Sequence, residues 1–502
     1  MNVRTVFFGR QRTLFLFFIL ILAYLFTRFY HLLSLPIFTD EAIYIRWAQI
    51  ISDHPRSLFI SLVDGKQPLF IWAIVFLLKI FHDPLFAGRC AGIFFGLLTL
   101  LGIFVFVRVF FQNTRFGLLS MFLYILFPMA LVYDRMALYE SATSASVMWS
   151  MVIFSYFLQK PSSRFVLLLG LSWGIGLLIK TTGFFIIYLS FFLPFLMPPK
   201  NKRKIGLFVK YGIFLLLSLG VAVAMYSVLR LSPHFSQLEA KNAVFAYHFS
   251  ELIPYGAFIS WPNNLVKLGN WTVLYFTAAF SLLSFFSFLF LREYKRQILV
   301  LWFLFLTQFL LLGLFGRLLN PRYLFSISIF LIPLAAISLE GLLRLSRTVL
   351  ALRILVVFLL LPVAAIDYGI LRNFQEARIP REDLMQYING WPAGGGMREI
   401  MTYLSERSKV RRLFVYTEGI YGSLPTTVSE IYLGKNKNIR LSSYDPTNPD
   451  AWKEFTRGDR DYETFIVVNQ AQELQREWPV RLIASYRKGS SDVLSSLYIL
   501  VP

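Results

Sequence analysis

Cysteine is nearly absent. The single Cys90 lies inside an apolar run, which excludes a disulfide framework and a zinc site built on thiolates. Histidine is scarce, and the five present (31, 54, 82, 234 and 248) show no metal-ligand spacing. There is no long internal repeat and no low-complexity tract. Acidic residues are few: 28 Asp and Glu stand against 49 Lys and Arg, a formal net charge of +21. Such an excess can signal nucleic acid, but here the cations fall in short clusters between apolar runs. No separate basic domain with interleaved aromatics exists, so nucleic acid is excluded as a partner.

What is abundant is apolar surface. Hydrophobic residues make up 57% of the 502, with 53 phenylalanines, far above the share in a soluble domain. The chain reads as a polytopic membrane protein. Arg4, Arg10 and Arg12 precede an apolar run longer than a signal-peptide core, with no small-residue cleavage site after it, so the first helix is expected to stay, its N-terminus cytoplasmic. A spanning helix needs roughly 17–25 mostly apolar residues. Runs of about that length lie near 14–30, 88–111, 116–133, 142–159, 165–179, 183–198, 207–229, 271–291, 297–315, 324–343 and 350–369, about eleven in all. The run 68–81 is short and reads as re-entrant or interfacial.

Charge tests this list. With the N-terminus inside, the inside loops hold Arg108 and Arg115; Lys160 and Arg164; Lys200, Lys202, Arg203 and Lys204; Arg292, Lys295 and Arg296; and Arg344 and Arg347. Each is basic, as the positive-inside rule requires. From about 371 the composition turns polar. The segments 412–418, 438–444, 464–470, 480–486 and 496–502 read as strands, with helical stretches such as 424–433 and 450–456 between several of them. "GWPAGGGMRE" has no apolar strand leading into it and reads as a flexible loop with a helix start. The expected architecture is an all-α polytopic membrane domain over 1–370, followed by a small extracytoplasmic α/β domain over 371–502.

Ionisable residues near membrane depth are costly and usually line a cavity or pathway. On the outer face this topology collects Asp40 and Glu41, which open an amphipathic helix with Ile43, Trp47 and Ile50 on one face; Asp64 and Lys66 in "VDGKQPLFIW"; Asp134, Arg135 and Glu140 in "YDRMALYESA"; Lys180; and Arg317 and Arg322 around "LLNP". The combination suits group transfer from a lipid phosphate. A carboxylate takes the proton of an attacking hydroxyl, and cations hold the leaving phosphate. Each residue also has a purely structural use. An Asp-Glu pair favours a helix start through the dipole alone, Lys180 and Arg322 can snorkel, Arg135 and Glu140 can pair, and Asp64 can make a turn with Gly65. The coincidence of several on one face favours the chemical reading. Asp40 and Glu41 diverge by about 100° on a helix, so each is expected to have its own partner.

The order Asp-Glu after the first span, "KQPL..W", "DRM..YE", "GLLIK" and "NPRYLF", over roughly residues 10 to 345, resembles the C-type glycosyltransferases of family 39. These include the protein O-mannosyltransferases, with the lipid A aminoarabinose transferases as relatives. Gln67 stands where that family often has the first proline of "KPPL". The resemblance implies a transferase that moves a sugar from a polyprenyl-phosphate donor, with inversion, to a hydroxyl of a lipid, glycan or protein acceptor; outward-facing lipid-linked chemistry places it in the plasma membrane, with a eukaryotic endoplasmic reticulum membrane as the topologically equivalent alternative. It implies Asp40 as general base and Glu41 as a support for its geometry or a contact to the acceptor. Lys66, Arg135, Lys180 and Arg322 become candidates for the donor phosphate, and Glu140, with Asp134, for sugar contact or support. Some members use a divalent metal and others do not, so no metal ligand is assigned. A C-terminal α/β domain departs from the β-trefoil of eukaryotic members and suits acceptor recognition or partner binding. The alternatives are a transporter or flippase for lipid-linked or small polar substrates, and a scaffold presenting the C-terminal domain.

Overall fold

The computed structural model describes residues 3–197, 205–252, 257–290, 294–345, 350–419, 422–448, 450–455, 461–469 and 478–501. Among these residues, seven helices are long and apolar enough to cross a membrane: Gln11–Phe29, Pro84–Phe110, Tyr139–Gln159, Gly206–Leu231, Ala257–Leu289, Lys295–Phe315 and Leu350–Arg372. An eighth span results if Pro321–Ser328 and Leu331–Leu345, bent by 57°, count as one. The chain is therefore a multi-pass membrane protein. The difference from about eleven apolar runs lies in broken or short helices. The run 116–133 is interrupted before Pro128 into Thr114–Ile125 and Pro128–Tyr133, because proline has no N–H and restricts the residue before it. The run 183–198 divides into Gly183–Ser190 and Leu193–Leu196, and Ser163–Ile179 has only 17 residues. Leu69–Leu78, in the run set aside as interfacial, has ten. Lys200, Lys202, Arg203, Lys204, Arg292 and Arg347 lie outside the described residues.

The chain divides into two compact units. The first comprises 1–30, 59–70 and 90–372 and is a helix bundle. Lipid offers no hydrophobic drive for helix association, so close approach and interhelical hydrogen bonds carry it. The Ser150 and Ser172 hydroxyls pair at 2.8 Å. Gly96 lets the Asp134 turn lie directly on helix Pro84–Phe110, since a Cβ there would meet the Tyr24 hydroxyl and the Asp134 carboxylate.

The second unit comprises 31–58, 71–89 and 373–502. Its sheet has β1 (Arg412–Glu418), β2 (Ile439–Tyr444), β3 (Tyr462–Val468), β4 (Val480–Arg487) and β5 (Leu494–Leu500), in the order β2-β1-β3-β5-β4. β1 pairs in parallel with β2 and β3, whereas β3/β5 and β4/β5 are antiparallel. The five strands expected from the sequence are all present, within two residues at each end; Gln470 and Pro502 lie outside the described residues. Tyr416, Tyr444, Phe455, Ile466, Val468 and Trp478 form one core cluster of this domain, and helices Met397–Arg407 and Leu424–Leu433 pack on the sheet.

Candidate active site

Two constellations, one in each unit, gather most of the residues singled out by the sequence; Asp134, Arg135 and Arg317 lie apart from them. In the helical unit the organising residue is Gln67. Its side-chain amide donates to the Thr181 hydroxyl at 2.5 Å, and its backbone carbonyl accepts the Tyr139 hydroxyl at 2.7 Å. Asn242 donates to the same Thr181 oxygen at 3.5 Å. Each of these polar residues is the chain neighbour of a charged one. The seam 67–139–181–242 therefore brings side by side the four segments that carry Lys66, Glu140, Lys180 and Lys241. Gln67, the departure from the family's proline, supplies a side-chain bond that a proline has no group to make.

Glu140 sits in the first turn of helix Tyr139–Gln159, where the helix dipole favours a carboxylate. Its Oε1 accepts from Lys180 Nζ at 2.8 Å. Lys180 follows helix Ser163–Ile179 as its C-cap, where a cation is equally favoured. Its ammonium lies 5.0 Å from the centre of the Tyr323 ring, and the Arg322 guanidinium lies 5.7 Å from the same ring. Lys180 and Arg322 both act electrostatically on Glu140. Two cations, one carboxylate and one tyrosine thus converge, with Lys180 about a quarter exposed and Glu140 buried.

Asp64 is held between Lys241, at 2.5 Å, and Lys66, at 3.9 Å. The turn carrying them depends on Gly65, which has φ +62°. A Cβ at Gly65 would meet the Gln237 carbonyl and Lys241 Cβ on helix Gln237–Phe245. Gly65→Ala is therefore expected to destabilise this turn by about 1–2 kcal/mol from the left-handed backbone alone, with the clash added. Thermal unfolding of the purified protein checks the loss.

Asp134 and Arg135 are placed differently. Asp134 is fully buried in a node of its own. It accepts from Ser141 at 2.8 Å, from Tyr24 at 3.2 Å and from Tyr124 at 3.1 Å, and Arg28 lies 3.5 Å away. Arg28 also donates to the Ile125 carbonyl at 2.8 Å, so this node ties the first helix to the break before Pro128. Arg135 is buried and donates to the Tyr30 carbonyl at 2.8 Å. Arg317 is committed to Glu251 at 3.0 Å and to the Ala243 carbonyl.

The second unit holds the Asp-Glu pair. Helix Thr39–Asp53 has Asp40 and Glu41 in its first turn. Glu41 reaches back to accept the Phe38 N–H at 3.0 Å, one half of a capping box. Its two oxygens are also gripped by Arg89, from Nε at 3.0 Å and from a terminal nitrogen at 2.9 Å. Arg89 spends its other donors on the carbonyls of Leu32, Leu35 and Pro36 at 2.8–2.9 Å. All five guanidinium N–H groups are thus used, and neither side chain is exposed. Asp40 is half-buried. The helix is less amphipathic than the sequence suggests. Ala42, Tyr44, Ile45, Trp47, Ala48 and Ile51 are all buried, because a second side packs on helix Leu424–Leu433. Arg46 pairs there with Glu430 at 2.7 Å, and Gln49 donates to the Ile431 carbonyl.

Lys241, Thr181, Asn242 and Arg89 carry no motif that singles them out; Thr181 has only its adjacency to Lys180, and Tyr323 stands inside "NPRYLF" with Arg322 as the marked residue. Among the described residues, no three His, Cys, Asp or Glu side chains gather as a metal site requires. Asp64, the carboxylate beside Lys66, is bracketed by two ammonium groups. This donor set does not suit a divalent cation.

Residues 53–228 match the family model described as dolichyl-phosphate-mannose-protein mannosyltransferase, so the resemblance carried by the short motifs holds over that stretch. No curated protein sequence matches the chain. Among solved structures, the chain is similar to ArnT from Cupriavidus metallidurans bound to undecaprenyl phosphate, with TM-score 0.59 and 13% identity over 96% of this chain and 97% of that one. It is likewise similar to the apo state of the same protein, with TM-score 0.57 and 14% identity over 98% of both chains. At such identity the likeness speaks for the fold alone: a mostly helical membrane unit and a small C-terminal sheet domain.

Proposed function

We propose that this protein is a membrane glycosyltransferase that moves a sugar from a polyprenyl-phosphate donor to an acceptor hydroxyl. The observation that carries the reading is the convergence of Lys180 and Arg322 on Tyr323, with Glu140 bonded to Lys180, and the Gln67–Thr181–Asn242 seam that joins the segments bearing Lys66 and Lys241 to the Lys180 segment. A cluster with more cations than carboxylates, built at helix ends, suits a phosphate that gains charge as it leaves. The family match over 53–228 and a similar fold whose solved structure is described as bound to undecaprenyl phosphate support a lipid-borne donor.

In this reading Lys66, Lys180 and Arg322 hold the donor phosphate. Arg135, already holding the Tyr30 carbonyl, is a further candidate. Glu140 keeps Lys180 in place and is available to a sugar hydroxyl, while Asp134 supports the turn from which Arg135 and Glu140 extend. Asp40 removes the proton from the acceptor hydroxyl, and Glu41, bound to Arg89, fixes the turn that bears Asp40. The hydroxyl oxygen attacks the anomeric carbon as the C–O bond to phosphate breaks. The proton passes to Asp40 and the bond pair to the polyprenyl phosphate. A single displacement of this kind inverts the anomeric centre. The site is read as extracytoplasmic, in a plasma membrane, with the N-terminus cytoplasmic.

Donor binding tests the phosphate assignment. Lys180→Met is expected to weaken binding of polyprenyl phosphate by about 10- to 100-fold, since a hydrogen bond to a charged group is worth ~1.5–3 kcal/mol. Equilibrium binding to the purified protein in nanodiscs measures it. Equal affinity in wild type and Lys180→Met would remove Lys180 from the phosphate site.

A further inference from the structure

The loop "GWPAGGG" between Tyr387 and helix Met397–Arg407 is not loose. At one end it meets the Asp40 segment. The Thr39 N–H and hydroxyl both donate to the Pro392 carbonyl, at 3.0 and 2.9 Å. The Gly394 N–H donates to the Ile37 carbonyl at 2.8 Å, and Phe38 bridges Ala393. The loop therefore holds the residue immediately before Asp40 by both of its donors.

Its other end is bolted to the sheet by a buried polar network that the proposed chemistry does not use. Lys488, directly after β4, is wholly buried. Its ammonium donates to Asn469 Oδ1 at 2.5 Å and to the Trp391 carbonyl at 3.2 Å. The Asn469 amide donates to the same Trp391 carbonyl at 2.8 Å. The Asn469 backbone N–H donates to Glu418 Oε2 at 2.7 Å, and the Ser495 hydroxyl to Asn469 Oδ1 at 3.3 Å. Glu418 ends β1 and Asn469 directly follows β3, so the network sits where two parallel strands terminate. Ser491 adds a bond to the Asn389 carbonyl at 2.6 Å. Burial pushes the Lys488 ammonium down to about 7 and pushes the Glu418 carboxyl up. Lys488 and Glu418 are buried opposite charges linked through Asn469; buried charges are poor evidence of stabilisation, because desolvation cancels much of the attraction, and their best-attested use is to fix one arrangement. Here the fixed object is the carbonyl of Trp391, the one exposed tryptophan among the described residues. The next carbonyl along the chain is the one that Thr39 grips.

We propose that Lys488, acting through the Trp391 carbonyl with Asn469 and Glu418, is a positioning residue for Asp40. The C-terminal domain thereby sets the placement of the base as well as any acceptor it recognises. This rests on the reading of Asp40 as the base. The links are Lys488 to the Trp391 carbonyl, Trp391 to Pro392 through the peptide, the Pro392 carbonyl to Thr39, and Thr39 to Asp40. Loss of the pin frees the loop and lets the first turn of the Asp40 helix shift without touching the donor site.

The test uses the full-length protein in liposomes, as Lys488→Met and as the double variant Lys488→Met/Glu418→Gln, which leaves no unpaired buried charge. Transfer kinetics are combined with amide hydrogen exchange. The expected result is a fall in kcat of about 10- to 100-fold, the scale of a displacement near 1 Å, with the KM for polyprenyl-phosphate sugar unchanged. The amides of Thr39 and Gly394 exchange faster, while those of β1 and β3 keep their protection. An unchanged kcat overturns the proposal, as does exchange that rises equally through the sheet, which marks a purely structural role. If the wild type transfers no sugar, the glycosyltransferase reading fails, and the exchange arm still decides: unchanged protection at Thr39 in the double variant removes the pin.

Discussion

Asp40→Asn is expected to lower sugar transfer by about a thousandfold, within the range that general-base catalysis supplies, and to leave folding almost intact. Asparagine keeps the shape of the side chain, and a first-turn carboxylate contributes only about 0.3–1 kcal/mol through the helix dipole. Asp40 is half-buried, and the helix that carries it is held by Glu41–Arg89, Arg46–Glu430 and Thr39–Pro392. None of these bonds uses the Asp40 carboxylate. Transfer rates of wild type and variant, matched for thermal stability and for donor affinity, measure the effect. Equal rates would move the base elsewhere. A variant that fails to fold would show that the Asp40 carboxylate is structural.

The second large effect concerns stability. Arg89→Met should destabilise the second unit by about 3–5 kcal/mol, because it strands the Glu41 carboxylate in a site with no exposure. It also removes the donors to the carbonyls of Leu32, Leu35 and Pro36. Glu41→Gln with Arg89→Met should recover part of the loss, since no buried charge then remains. Thermal unfolding of the two single variants and the double variant gives the coupling between the two residues. Additive losses would mean that the two side chains act independently, against the bidentate geometry.

The sheet was legible because each strand is a short run rich in β-branched and aromatic residues between polar turns. The observed strands Arg412–Glu418 and Val480–Arg487 lie almost where the pattern puts them. Membrane runs were legible as composition but not as continuous helices. Hydropathy averages over Phe127-Pro128, whereas the helix ends there for want of an N–H. Most of the charged residues marked by their position fall into two separate constellations, with Asp134, Arg135 and Arg317 apart, and no pattern in the sequence marks the polar residues that organise them. Gln67 stands out in the sequence only as a departure from a proline, yet its amide and carbonyl tie its own segment to two others. Arg89 looked like one more residue of an apolar run, because nothing local shows that its guanidinium faces Glu41, 48 positions earlier. Lys488 and Asn469 lie in a stretch with no motif at all. Such contacts depend on tertiary proximity, which periodicity and composition do not encode.

The loop 390–396 is the clearest difference. Three consecutive glycines suggested flexibility, and Gly396 does adopt φ +80° to start its helix. Yet the carbonyls of Trp391 and Pro392 and the N–H of Gly394 are all engaged. Here glycine content reflects close backbone approach: a Cβ at Gly394 would meet Ile37, and one at Gly396 would meet Tyr486.

The most direct measurement follows both halves of the donor at once. Purified protein in liposomes is given a polyprenyl-phosphate sugar labelled in the sugar and in the lipid, with a membrane acceptor fraction. Glycosyl transfer predicts polyprenyl phosphate released in step with sugar reaching the acceptor, and both lost in Asp40→Asn. Intact sugar-lipid moved to the opposite leaflet, with no release of polyprenyl phosphate, would contradict the account and favour a flippase.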